Sequence, residues 1–331
     1  KNNIFYIFNH LGSIVFEYDT EEYLMAAPSI DENKEIWVPT FDSNGKILIF
    51  SHNAGDWELN SFSIGKKIQK GIALHDIDND GLTDWVYGTD SNTIEAHIGD
   101  ELYVHEVGGK IRSAPAIVEF HEDEYLIVAG SKDNNLYALD PITGNEHFVY
   151  ETEGDVESPS FFEHGESGPV IVFGSSDGNL YMIDMNGNDV DGWPKDLGGP
   201  VKGSPSMSDL DGDGLTDIVI GQAEGKFFAF NENGNLLNNF PMIIEFPYTS
   251  SPAIDDLDGD GDLEILIGGS SALYGYDFKN DNGNSVDYWS MYRGNHQRIG
   301  YFYSPTTLGS GLGDLNFDGN VNVSDVVILI D

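Results

Sequence analysis

Seven short strands, rich in aromatic and β-branched residues, recur along the chain at a nearly fixed interval. No other feature of the sequence restricts the fold as much. They read "NNIFYIFN", "GKILIFSH", "NTIEAHIG", "NNLYALD", "GNLYMID", "GKFFAFN" and "SALYGYD". With Phe5, Leu48, Glu95, Tyr137, Tyr181, Phe228 and Tyr274 taken as equivalent, the steps are 43, 47, 42, 44, 47 and 46 residues. A second marker opens each unit, at Pro28, Pro115, Pro159, Pro205 and Pro252, with Ile72 filling the missing slot; its steps are 44, 43, 44, 46 and 47. Two independent markers with one period define a true repeat, and periods of this size belong to repeat architectures.

Between the markers lies a third strand, "IWVPT", "DWVYG", "LIVAG", "VIVFG", "DIVIG" or "EILIG". Branched apolar runs ending mostly in Gly are the pattern of a buried strand entering a tight turn. Each unit thus predicts an opening strand, a buried strand, an aromatic strand and a variable outer strand. Four antiparallel strands per unit make a propeller blade. A β-sandwich does not repeat so regularly, and the coils of a β-helix are shorter. The expectation is an all-β fold, a β-propeller over residues 1–302 with seven blades, six or eight being the alternatives. The first blade lacks its first two strands, because the chain begins at its third. Either the C-terminal segment completes that blade or the blade stays incomplete. Full closure would remove the sheet edges that invite aggregation.

The charge balance narrows the partners. Lys and Arg total 15 against 57 Asp and Glu, a formal charge of −42 over 331 residues. Nucleic acid and anionic membrane surfaces both demand basic patches and are disfavoured; cations or a high-salt setting are favoured. With no cysteine, disulfides, thiol nucleophiles and Cys-based zinc sites are excluded. No apolar run reaches the ~18 residues of a transmembrane segment. The opening "KNNIFYIF" carries no signal-peptide pattern and reads as a mature form or a fragment.

Acid is concentrated in three turns of one spacing, "DIDNDGLTD", "DLDGDGLTD" and "DLDGDGDLE". Positions 1, 3, 5 and 9 are Asp76, Asp78, Asp80 and Asp84; then Asp209, Asp211, Asp213 and Asp217; then Asp256, Asp258, Asp260 and Glu264. A Gly at position 6 permits the sharp turn. Leu82, Leu215 and Asp262 stand at position 7, where a carbonyl can join the set. Alternate carboxylates around a Gly turn supply the hard oxygen ligands that Ca²⁺ prefers; Mg²⁺ tends to keep its waters. A solvated acidic turn is the plain alternative. The units opening at Pro28, Pro115 and Pro159 lack the pattern.

These turns, within "SPSMSDLDGDGLTDIVIG" and "SPAIDDLDGDGDLEILIG" and with "GWP" at 192–194, resemble the FG-GAP or VCBS-type calcium-loop propellers, the family that includes the integrin alpha head. The resemblance covers about residues 1–302 and implies the propeller fold and Ca²⁺ as cofactor. It leaves activity open, since a fold hosts many functions. The tail differs. After a linker at 303–312, "DLNFDGNVNVSD" places Asp314, Asn316, Asp318, Asn322 and Asp325 at positions 1, 3, 5, 9 and 12, with Asn320 at the carbonyl position 7. This EF-hand-like spacing over residues 313–331 looks like the first half of a type I dockerin. That resemblance implies an extracellular or cell-surface protein, and cohesin as partner of a complete dockerin.

No phosphate-loop, dinucleotide or HExxH pattern is present, and no catalytic residue is assigned. "YWSMYRGNHQRIGYF", residues 288–302, holds two of the three arginines. Its Arg293, His296 and Arg298 are candidate ligand-binding residues for an acidic sugar, or else they close the propeller structurally. Trp57 and Trp193 either stack on sugar rings or pack within blades. The resulting expectation is a binding or display module for carbohydrate or extracellular protein. A polysaccharide lyase using Arg, His and Tyr is the alternative, and a structural spacer the third reading.

Overall fold

The computed structural model describes residues 3–303 apart from 122–123, 244–246, 249, 271 and 280–281. The described residues form seven antiparallel sheets in chain order. The first is β1 (Ile4–Phe8) and β2 (Ile14–Asp19). The second is β3 (Ser29–Ile30), β4 (Ile36–Pro39), β5 (Lys46–Asn53) and β6 (Asp56–Ser63). The third is β7 (Ala73–His75), β8 (Asp84–Gly88), β9 (Thr93–Ile98) and β10 (Glu101–Glu106). The fourth is β11 (Ala116–His121), β12 (Glu124–Gly130), β13 (Asn135–Leu139) and β14 (Glu146–Glu151). The fifth is β15 (Ser160–Glu163), β16 (Pro169–Gly174), β17 (Asn179–Asp184) and β18 (Lys195–Asp196). The sixth is β19 (Ser206–Ser208), β20 (Asp217–Gln222), β21 (Lys226–Asn231) and β22 (Met242–Ile243); the seventh is β23 (Ala253–Asp255), β24 (Leu263–Gly268) and β25 (Leu273–Phe278). No α-helix occurs among them. The architecture is that of a β-propeller.

The register verifies the repeat in six sheets. Leu48, Glu95, Tyr137, Tyr181, Phe228 and Tyr274 face Val38, Tyr87, Ala129, Phe173, Ile220 and Ile267, the same step of each ladder. Phe5 is out of step. Thr20 N–H donates to Asn3 O as Val107 does to Asn92 and Thr152 to Asn134. Counting from that bond, Tyr6 and not Phe5 stands where Glu95 and Tyr137 stand. A one-residue slip moves a side chain to the other face: Phe5 points at the second sheet and stacks on Phe50 at 5.0 Å. The first unit offers only one marker to align.

The core lies between sheets rather than within them. Phe5 packs with Val38, Leu48 and Phe50; Ile47 and Ile49 pack with Leu74 and Tyr87; Ala96 packs with Ile127 and Ala129. The fourth to sixth sheets share one cluster, and the sixth and seventh another. Each fully buried Val, Leu, Ile or Phe contributes ~1.5–3 kcal/mol. The Gly that ends the second strand permits this approach: a Cβ on Gly88 would collide with Ile111, and one on Gly174 with Val201.

Inner-strand serines join neighbouring sheets. Ser29 Oγ donates to Ile72 O at 3.2 Å, Ser160 Oγ to Pro205 O at 2.7 Å, and Ser206 Oγ to Pro252 O at 2.7 Å. Ala114 N–H donates to Ser158 Oγ and Ser204 N–H to Ser251 Oγ. The Ser-Pro marker of the sequence is therefore a blade-to-blade hydrogen bond.

Among the described residues, no C-terminal strand pairs with the first sheet. Residues 284–302 instead cross the hub. Five of the six inner strands donate one backbone N–H to this segment: Met207 to Trp289 O, Ile254 to Ser290 O, Ile30 to Gln297 O, Leu74 to Ile299 O and Ile117 to Gly300 O, all at 2.8–2.9 Å. β26 (Tyr301–Phe302) then pairs parallel with β11. Phe161 holds the equivalent place in the fifth sheet and meets the Trp289 and Phe302 rings. Inner strands otherwise leave an edge of unpaired N–H groups, and the segment satisfies it. No buried cluster of the described residues joins the seventh sheet to the first. The second, third, fourth, sixth and seventh sheets are thus tied together at the hub by this segment.

Candidate functional site

The three acidic turns occupy the same place, the hairpin from the inner strand to the second strand of the third, sixth and seventh sheets. Their backbone is folded by their own carboxylates. Asp76 accepts the N–H groups of Asp80 and Gly81; Asp209 accepts those of Gly212, Asp213 and Gly214; Asp256 accepts those of Gly259 and Gly261. The ninth residue reaches back to position 2: Asp84 to Ile77 N–H, Asp217 to Leu210 N–H and Glu264 to Leu257 N–H, at 2.7–2.9 Å. The pattern of the sequence is thus a hydrogen-bonded cup as well as a row of charges.

Carboxylate oxygens of Asp76, Asp78 and Asp84 converge within 4.8 Å of one another, and so do those of Asp209, Asp211 and Asp217. The fifth-position acids differ from expectation. Asp80 and Asp213 fall outside these clusters and accept the N–H of Leu82 and Leu215. In the third turn two sets converge, Asp256–Asp258–Asp260 and Asp260–Asp262–Glu264, so Asp262 takes part through its side chain.

The fit to a hard cation rests on buried oxygens without partners. Asp217 is 1 % exposed, and its Oδ1 has no hydrogen bond. Asp262 Oδ1 and Glu264 Oε1 are likewise buried and unpaired. Burial pushes the Asp217 carboxyl up to about 7, with Asp211, Asp213 and Asp209 adding to it; it raises Asp84 in the same direction. The hydrogen bond with Asp260 pushes Asp262 up to about 6. Unpaired buried carboxylates are costly, and a divalent ion offsets the cost. Asp84 is the exception, since Gly99 and Ile77 N–H groups occupy both its oxygens.

A residue that sequence reasoning missed neutralises the third turn. Lys279 Nζ lies 3.2 Å from Asp260, 3.3 Å from Asp262 and 2.8 Å from Asp277. It follows β25, with no local pattern to mark it. The tail positions Asp314, Asn316, Asp318, Asn320, Asn322 and Asp325, and the linker after Tyr303, lie outside the described residues.

The hub segment scatters its three candidates. Arg293 is 2 % exposed and bonds Ser29 Oγ at 2.7 Å; a Cβ on Gly71 would collide with its guanidinium. It is a packing residue of the hub. His296 lies 3.5 Å from Asp255 beside the third acidic turn. Arg298 lines the central cavity. Trp193 is 6 % exposed and donates Nε1–H to Glu232 O, and Trp57 packs on Phe16, so both serve blades.

Residues 209–267 match the family model of the FG-GAP-like repeat. Among solved structures, the chain is similar to Saccharomyces cerevisiae Sqt1 (15 % identity, 78 % of this chain and 71 % of that one, TM-score 0.59). It is also similar to BBS1N in its complex with ARL6DN, soaked with lead (15 %, 80 % and 80 %, 0.57), and to the Dos1 propeller (13 %, 84 % and 73 %, 0.57). No curated protein sequence matches the chain. At such identities the likeness establishes the β-propeller fold.

Proposed function

We propose that this chain is a calcium-stabilised, seven-bladed propeller of the extracellular space or cell surface, acting as a binding or display module for carbohydrate or protein. The observation that carries the calcium reading is the buried, unpaired oxygen of Asp217 in a cup where Asp209 and Asp211 also converge. Asp209, Asp211 and Asp217 would hold the ion in the sixth sheet; Asp76, Asp78 and Asp84 in the third; and the acids from Asp256 to Glu264 in the seventh. The ion's chemistry is charge neutralisation of the cup. The binding role is supported by the fold and by the BBS1N structure, a propeller-like neighbour in complex with another protein. Seven sheets for seven aromatic strands support the blade count.

The test is calcium content and thermal unfolding of the purified chain. Expected are two to three bound Ca²⁺ and a melting temperature lowered by chelator. A chain that takes up no Ca²⁺ at millimolar concentration and melts identically with chelator refutes the reading.

A further inference from the structure

The hub holds a cavity of about 340 Å³ where the inner strands begin, floored by Tyr292 and Arg298 of the C-terminal segment. Its volume lies in the range of small-ligand sites. In a chain with 57 acids and 15 bases, its charge is reversed. Lys70, Lys202 and Arg298 line it, against the single carboxylate of Glu157. Lys132, a further cation acting on Glu157, is already paired with Asp155 at 2.7 Å.

The lining also holds polar groups without partners. Ser204 Oγ, 2 % exposed, and Tyr292 OH have none. The Arg298 guanidinium has no ion pair among the described residues, and behind it Arg293 leaves Nε and Nη2 without acceptors. Among the described residues Lys202 bonds the neutral Ser176 Oγ, at 2.7 Å, and no carboxylate. Buried donors without acceptors are costly, and guanidinium and ammonium groups around a cavity match an oxyanion, which accepts several charge-assisted bonds at once.

We infer that this cavity binds a small oxyanion, a sulfate or a carboxylate carried by a small molecule, between Lys70, Lys202 and Arg298. Ser204 and Tyr292 supply neutral hydroxyl donors, and Glu157 sets one side that the anion avoids. The inference gives the proposed module a ligand class, yet it does not depend on calcium. A chain indifferent to chelator would lose the calcium reading and keep this one.

The test is isothermal titration of the calcium-replete chain at low ionic strength with sulfate, with glucuronate and with neutral glucose. One-to-one binding of sulfate, of glucuronate or of both is expected, and the responding anion identifies the source of the charge. Lys70→Ala and Lys202→Ala, both on partly exposed side chains, each weaken binding about tenfold or more, whereas Lys34→Ala leaves it unchanged. Circular dichroism confirms that the variants fold. Absence of binding by both anions overturns the inference. So does binding that both lysine variants retain, or glucose binding as tightly as glucuronate.

Discussion

Asp217→Asn has opposite effects with and without calcium. In the metal-free protein the Asp217 carboxyl is pushed up to about 7 from an ordinary 3.8. Between those values the folded state binds more protons than the unfolded one, so stability falls as pH rises through the window. The full rise corresponds to about 4 kcal/mol, at ~1.4 kcal/mol per tenfold. Asparagine cannot ionise, and its amide oxygen still accepts the Leu210 N–H that Asp217 holds at 2.9 Å. Metal-free Asp217→Asn is therefore more stable than the parent at pH 8 by ~2–4 kcal/mol, and the two converge near pH 4. With Ca²⁺ at a hundredfold excess over Kd the parent gains about 2.7 kcal/mol per site, which the variant loses in this turn. Urea unfolding of both proteins at pH 5 and 8, metal-stripped and calcium-replete, reads all four values. A variant equally destabilised in every condition would mean that Asp217 only closes the turn, and the reasoning fails.

Lys279→Met leaves Asp260, Asp262 and Asp277 without their ammonium; the gap in melting temperature between calcium and chelator should widen relative to the parent. Ser206→Ala removes the buried bond to Pro252 O and should cost ~1–3 kcal/mol in urea unfolding, whereas Ser61→Ala, on an exposed stretch of β6, should stay within ~0.5 kcal/mol. His97 is held neutral by burial, stacked on Trp85 at 4.5 Å. Its lowered folded value means stability is present above the ordinary histidine range and lost as pH falls below it. His97→Phe should flatten the acid side of the stability profile below about pH 6.5.

The local pattern made much of this legible. Alternation, period and terminal Gly fix strands and their order, and they align Leu48 through Tyr274 to the residue. The acidic spacing places the turns and the convergence of Asp76 with Asp84 and of Asp209 with Asp217. The illegible parts are those set by distant contacts. Ser29 meets Arg293 across 264 residues, and no periodicity in 288–302 announces a path across the hub. Lys279 reaches the third turn only because β25 returns beside it. Asp80 and Asp213 carry the spacing of ligands, yet each turns to a backbone N–H two residues on, a local competitor that spacing alone does not rank. The serine junctions were visible as Ser-Pro pairs, but only the packed neighbour shows what the hydroxyl bonds.

The hub segment works as a length gauge. Its carbonyls take one N–H from each of five inner strands, and the short span from Ser290 to Gln297 bridges the seventh sheet to the second. The serine junctions repeat from sheet to sheet, so a duplicated unit would find familiar neighbours on either side. A wider ring would nonetheless draw the two rims apart, and a segment of fixed length could no longer touch both. The repeated units are free to vary in number as far as their own contacts are concerned; the hub crossing, residues 284–302, is read once and never repeated, and its fixed reach is matched to the sheets it now touches.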